Sequence, residues 1–255
     1  MPDPHHAVPD AAPRQPSPPP HALPAARALL LCAAVLGAGC ASGSRPDPLE
    51  PVNRKMFAFN EGVDKVVLKP VATAYKAAVP PVAQTGISNF LSNLQEPWSS
   101  ANLVFQGQVR EGAANFARFG TNTTVGLLGF VDVASGWGMP QRGAEDFGLT
   151  LDTWGLGTGA YVVLPVFGAS NVRDLLASPI DSVGRPGSYV DSVSARNTLT
   201  VVQAVSQRAR HLEAGELVDQ AALDKYAFMR DAHFKRRNRP GPQEDAARAG
   251  MLPPE

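Results

Sequence analysis

Apolar positions along this chain return at helical spacing from Met56 onward. Met56, Phe57, Phe59, Val63, Val66 and Val67 share one side, and Glu61, Asp64 and Lys65 hold the other. Upstream, Asp47 followed by Glu50 reads as a helix start, with Pro48 or Pro51 tolerated in the first turn. The spacing predicts a helix that stops at Lys69-Pro70. Past Pro80-Pro81, Ile87, Phe90, Leu91 and Leu94 fall at i, i+3, i+4 and i+7, an amphipathic stripe. Its opposite face is polar but uncharged: Ser88, Asn89, Ser92 and Asn93. Between Glu96 and Phe130 only Arg110, Glu111 and Arg118 are charged, while large apolar residues alternate with Asn, Gln, Gly, Ala and Thr. Ala113, Ala114, Ala117 and Gly120 permit close helix approach.

The pattern then changes. Residues Thr153 to Val172 carry no charge, yet Gly155, Gly157, Gly159, Pro165 and Gly168 forbid one long helix. Tyr161 to Pro165 reads as a short extended piece. From Asp191 onward the alternation is that of a soluble helix: Val202, Val205, Ala209 and Leu212 form a seam on a charged background. A further helix is expected from Leu223 to Arg237, and residues 238–255 read as a disordered tail.

Composition sharpens this picture. The chain has 255 residues, and charged residues make up 18%, below the roughly 25% of a typical soluble domain. Lys and Arg number 23 against 23 Asp and Glu, so there is no basic excess for a nucleic-acid partner. Residues 1–24 hold 9 of the 24 prolines and read as disordered. Arg27 and the apolar run 28–36 then lead to Gly37-Ala38-Gly39-Cys40, the layout of a secretory signal. That run is too short to cross about 30 Å of hydrocarbon. Small residues before Cys40 resemble a lipobox, in which the thiol is diacylated and becomes the first residue. Ala41 and Ser42 follow without an Asp, which resembles sorting to the outer membrane. Cleavage there removes two acidic and two basic residues, leaving 21 of each and a single cysteine. An intrachain disulfide is then impossible, and His211 and His233 are too few and too far apart for a zinc site.

Catalytic signatures are weak. Gly155-Leu156-Gly157-Thr158-Gly159 superficially fits a dinucleotide fingerprint, but that motif must open a helix, and an extended run follows instead. Ser170, in Gly168-Ala169-Ser170-Asn171, lacks the second glycine of a nucleophile elbow. Glu145-Asp146, and Asp174 with Asp181, read as caps and surface charges. The expectation is a non-enzyme without cofactor or metal.

One ordered series of motifs is specific. Asp47-Pro48-Leu49-Glu50-Pro51-Val52-Asn53-Arg54 with Phe57-Ala58-Phe59-Asn60 is followed by Ser88-Asn89-Phe90, Arg118-Phe119, Asn122-Thr123 and Gly126-Leu127. Asp146-Phe147-Gly148, Trp154-Gly155, Tyr161 to Pro165, Arg173-Asp174 and Arg230-Asp231 come next in order. The series resembles the VacJ/MlaA family of outer-membrane lipoproteins over about Asp47 to Arg237. Leu149, Ala160 and His233-Phe234-Lys235 depart from the family pattern.

The resemblance implies a mainly α fold, a ring-like bundle of amphipathic helices embedded in the outer membrane, with short extended and loop segments around 134–170. It implies a lipoprotein anchored at Cys40 on the periplasmic face of the outer membrane. Such a protein extracts mislocalised phospholipids from the outer leaflet through a polar channel. It hands them to a periplasmic lipid carrier, keeps company with trimeric porins and so maintains lipid asymmetry. The alternative is a structural envelope lipoprotein that tethers porins without moving lipid.

Four segments are expected: a Pro-rich leader and signal (1–39), an acylated linker (40–46), the VacJ/MlaA-like domain (47–237) and the tail (238–255). Phe57, Phe59, Ile87, Phe90, Leu91, Leu94, Phe116 and Phe119 are expected to face acyl chains or the ring core. Gly155, Gly157, Gly159, Tyr161 and Pro165, with the loop 134–144, are the expected mouth or gate.

Overall fold

The structure, a computed structural model, describes residues 47–238. The leader and signal, Cys40, the linker up to 46 and the tail from 239 lie outside the described residues. The described region is mainly helical, as expected.

Helix α1 (Glu50–Val63) runs through a single wide π turn, Asp64–Leu68, into α2 (Lys69–Ala78). The stop expected at Lys69-Pro70 is therefore not a stop. Proline lacks an N–H and crowds the carbonyl four residues back, and the π turn immediately before it absorbs that misfit. The long α3 (Pro81–Phe105) contains the predicted stripe and packs along α4 (Val109–Thr124). A one-turn helix α5 (Val133–Gly136) and the short α6 (Phe147–Thr153) follow, capped by Asp132 and Asp146 respectively.

Strand β1 (Tyr161–Leu164) covers the expected extended piece and pairs antiparallel with β2 (Gly168–Asn171), Tyr161 opposite Asn171 and Leu164 opposite Gly168. The chain then forms α7 (Val172–Gly184), a 3-10 turn (Pro186–Tyr189), α8 (Val193–Arg210), α9 (Leu212–Ala221) and α10 (Lys225–Arg237).

The two-stranded sheet has an unusual third neighbour. Asn53 on α1 donates to the Tyr161 carbonyl at 2.9 Å and accepts from the Val163 amide at 2.9 Å. Two turns on, Asn60 donates to the Leu164 carbonyl at 2.8 Å and accepts from the Val166 amide at 2.7 Å. Each carboxamide presents one acceptor and one donor, as a strand residue would. Helix α1 thereby satisfies the free edge of β1, which gives Asn53 and Asn60 of the motif series their physical reason.

Two apolar clusters stand out among the described residues. Tyr161, Val163, Tyr226 and Phe234 join β1 to α10, with Met56, Phe57 and Ala169 against them. Ala72, Ala209 and Leu212, with Tyr75, join α2 to α8 and α9. The predicted α8 seam is thus a packing seam. Arg173, fully buried, pairs with Asp152 and Asp174 and donates to the Arg237 carbonyl at 2.8 Å. Arg237 in turn holds Asp146 at 2.7 Å and Asp174 at 2.7 Å, tying α10 to α6 and α7. Among the expected caps and surface charges, Asp146 and Asp174 are caps or capping partners also locked in ion pairs. The departures Leu149, Ala160 and His233 are all buried, so they change core packing and not the surface.

Candidate functional site

Helices α3 and α4 are built inside out. On α4 the buried positions are Gly112, Asn115, Arg118 and Asn122, one helical face. Phe116 between them is 58% exposed, and Val109 and Val125 also face outward. On α3, Asn93, Glu96, Ser99, Ser100 and Asn102 are buried beside Leu91 and Leu103, while Val104 and Phe105 are exposed. A water-soluble bundle does the reverse, because each large apolar side chain left in water forgoes roughly 1.5–3 kcal/mol. The apolar exterior continues through Leu127, Leu128, Phe130 and Val131.

The buried polar face is a connected network. Asn93 donates to the Thr123 hydroxyl at 2.9 Å, and Arg118 lies 3.6 Å from Glu96 and 3.2 Å from Asp132. Asn122 donates to Asp132 at 3.0 Å and accepts from the Ala134 amide at 2.9 Å, locking the loop onto α4. Further along α3, the Thr150 hydroxyl donates to Asn102 at 2.8 Å, Gln106 donates to Glu145 at 3.1 Å, and the Glu145 amide donates to Ser99 at 3.0 Å. Buried polar groups generally find partners, and most of these do, across α3, α4 and the following loop; Asn93 Oδ1 and Asn115 Oδ1 accept no hydrogen bond among the described residues. The turn after α4 needs Gly129: its φ is +92°, and a Cβ there would come within 2.6 Å of Asn93.

Three cavities lie nearby, and the first reaches this polar face at Glu96 and Ser99. One of about 210 Å³ lies between α3 and the loop, lined by Ser92, Gln95, Glu96, Ser99 and Arg142. A second, about 370 Å³, lies between α3 and α8, with Leu91, Leu94, Gln95, Arg185, Arg196 and Thr200 in its wall. A third, about 460 Å³, is bordered by Arg185, Ser182, Asp174, His233 and Arg236. Gln95 is common to the first two, and Ser182 and Arg185 to the last two. Shared wall residues thus link the three in series, the first two against α3 and the third among α7, β2 and α10.

Around the third cavity, burial pushes the Asp146 carboxyl up, but the Arg237 guanidinium outweighs it and holds the group below its ordinary value. Burial raises Asp181, against hydrogen bonds from the Phe147 amide and the Trp98 indole. Burial also drives His233 down to about 4, so its imidazole is neutral near pH 7. Among the described residues no group of three His, Cys, Asp or Glu is placed to hold a metal. No described helix is long and apolar enough to cross a membrane.

The expected site residues divide. Leu91 is buried and, with Leu94, walls the second cavity. Phe90 stacks on Phe130 at 5.2 Å, and Ile87 is half-buried on the same helix. Phe116 and Phe59 are exposed, and Phe119 lies 5.9 Å from Phe116. Phe57 packs edge-on against Tyr226 at 5.7 Å, in the core. Tyr161, expected at the mouth, is 1% exposed and lies in the first apolar cluster. The edge hydrogen bonds from Asn53 fix it there. Gly155 and Gly159 have φ of +92° and +67°, Gly157 and Pro165 are exposed, and the run enters a strand. The loop expected at the mouth does border a cavity, through Gln141, Arg142, Gly143 and Ala144.

Sequence reasoning missed Arg118, Glu96, Arg185 and Arg196. Arg118 stood out only as a rare charge.

Comparison with known proteins follows the same residues. A family model described as MlaA lipoprotein matches residues 45–240. The chain is 37% identical over 207 residues to the intermembrane phospholipid transport system lipoprotein MlaA of Shigella flexneri and to that of Escherichia coli K12, covering 78% of this chain and 81% of each relative. To the MlaA of Haemophilus influenzae it is 34% identical over 226 residues, 80% of this chain and 86% of that one. A solved structure from work on the structural basis for maintenance of bacterial outer membrane lipid asymmetry superposes with a TM-score of 0.69 at 37% identity, covering 76% of this chain and 98% of that chain. Matches of this extent, over the region that builds the inside-out helices, mean that the chain belongs to the MlaA lipoprotein family.

Proposed function

We propose that this chain is the outer-membrane lipoprotein of an intermembrane phospholipid transport system. It takes mislocalised phospholipids from the outer leaflet and passes their headgroups along a polar interior, while the acyl chains stay with apolar surface. The observation that carries this reading is the inverted polarity of α3 and α4: Asn115 and Arg118 inward, Phe116 outward. A headgroup crossing hydrocarbon unaided loses its hydration without replacement, and an uncharged or internally neutralised polar lining supplies the replacement. The names of the Shigella flexneri and Escherichia coli relatives agree with it.

In this reading a diacylated Cys40 anchors the chain at the periplasmic face of the outer membrane, where no spanning helix is needed. The ring of amphipathic helices sits within the bilayer. A periplasmic carrier receives the lipid, trimeric porins are neighbours, and no catalytic step or cofactor is involved.

The test is the phospholipid content of the outer leaflet in cells lacking the protein. A rise with unaltered lipid chemistry is expected. Envelope detachment with a normal outer leaflet would instead support the tethering role, and accumulation of an unprocessed lipid would indicate an enzyme.

A further inference from the structure

The second cavity differs from its neighbours in charge. Arg185 and Arg196 both line it, and among the described residues no carboxylate does. The first cavity has Glu96 in its wall, and the third has Asp146, Asp174 and Asp181. Local geometry explains how the two guanidiniums arrive there. Helix α7 ends because Pro186 forces Arg185 out of helical geometry, to ψ 127°. The end of α7 presses on α3 so closely that a Cβ on Gly184 would fall within 2.2 Å of Trp98, whose indole donates to Asp181 at 2.7 Å. The 3-10 turn then reverses the chain, and α8 brings Arg196 to the same cavity. Arg196 spends one N–H on the Val190 carbonyl at 3.3 Å and keeps the rest free to reach a ligand. Arg185 makes no ion pair among the described residues; Asp146 and Asp181 feel its charge from the side of the third cavity, but neither lines this one, so two cations face a lining without a carboxylate.

The remaining lining has two further qualities. Ser188, Thr200, Asn197 and Gln203 offer hydroxyls and carboxamides, and Leu91, Leu94 and Leu199 make an apolar side. Guanidiniums match phosphate oxygens in fork geometry. An ammonium would find no carboxylate and two like charges.

We infer that the α3–α8 cavity is a headgroup site selective for phosphodiesters of net negative charge with hydroxyl-bearing heads, and that Arg185 and Arg196 set this selectivity. This rests on the phospholipid reading above and names the lipid class it handles at this point. The leucines meet the first carbons of the acyl chains, and the hydroxyl and amide groups meet the polar head.

The test uses the purified full-length protein in a non-ionic detergent, titrated calorimetrically with short-chain phosphatidylglycerol, short-chain phosphatidylethanolamine and inorganic phosphate. The phosphatidylglycerol is expected to bind at least about tenfold more tightly than the zwitterionic lipid, as loss of one charge-assisted contact implies. Inorganic phosphate should be weaker than either lipid. Arg185→Gln and Arg196→Gln should each bring the two lipids towards equal affinity. The ratio within one preparation is read, so a change in stability does not imitate the result. Equal affinities in the wild type, or an unchanged ratio in both variants, would overturn the assignment. Phosphate binding as tightly as the anionic lipid would overturn it in favour of a free-anion site. The transport reading fails separately, through an unaltered outer leaflet in cells lacking the protein.

Discussion

Arg118 on α4 lies 3.6 Å from the carboxylate of Glu96 on α3, with both residues more than nine-tenths buried. Asp132 completes the cluster at 3.2 Å from Arg118. Removing one member of a buried pair strands the other charge, at a typical cost of about 3–5 kcal/mol. Arg118→Met should lower stability by that order, and adding Glu96→Gln should recover part of it. Thermal unfolding in detergent of the two single variants and the double variant checks this. Additive losses would show that the two residues do not act as a pair.

The Asn53 and Asn60 carboxamides bind successive peptide groups of β1 and its turn. Asn53→Ala leaves a buried carbonyl and a buried amide unpaired, so a loss of roughly 2–4 kcal/mol is expected. Asn60→Ala should cost less, because its partner Val166 is exposed. Chemical denaturation should give that order, and the reverse order would discount the edge-capping role of Asn53.

How much of this was legible in the sequence depends on the kind of contact. The periodicities of α1, α3 and α8 follow from local spacing, and the motif series led to the family. The side that faces inward did not follow, because a stripe of Phe and Leu has the same period in a core or in lipid. Asn93 and Phe116 could only be placed once α3 and α4 were paired. Arg118 was visible as a lone charge, but Glu96 is 22 positions earlier and meets it through tertiary packing alone. Tyr161 lay in a glycine-rich, uncharged stretch, in a short extended piece expected at the mouth, and nothing local marked it as core. The hydrogen bonds that bury it come from Asn53, more than a hundred residues away. Pro70 was a legitimate stop signal overridden by a π turn.

The outward apolar face makes a separate claim. Phe116 and Leu128 are 58% and 65% exposed, so Phe116→Asp and Leu128→Asp should leave folding nearly unchanged. Each should weaken flotation of the protein with phospholipid vesicles, since a carboxylate resists burial in hydrocarbon. Wild-type flotation by both variants would mean that this face does not meet lipid.

His233 confers a pH dependence. Its ring lies 5.6 Å from that of Tyr161 and its Nε2 is 3.2 Å from the Asn171 carboxamide nitrogen. Burial depresses its pKa to about 4; Arg236, Arg237 and Arg173 act in the same direction and Asp174 opposes them. The unfolded chain, with a value near 6.5, takes up the proton first as pH falls. Stability from this group is therefore complete above about pH 6.5 and lost between there and about 4, by roughly 3 kcal/mol. His233→Phe should flatten that part of the stability profile. An identical fall in wild type and variant between pH 6.5 and 4 would contradict the assignment.

Gln95 stands in the wall shared by the cavities of about 210 and 370 Å³. In the proposed reading the headgroup passes this residue, so Gln95→Trp should close the way with an indole while leaving the buried Glu96–Arg118 pair intact. The most direct measurement is the outer-leaflet phospholipid content of cells carrying Gln95→Trp as their only copy. The level is predicted to rise to that of cells lacking the protein, with normal amounts of the variant in the membrane. A wild-type outer leaflet in those cells would contradict a headgroup path through this interior.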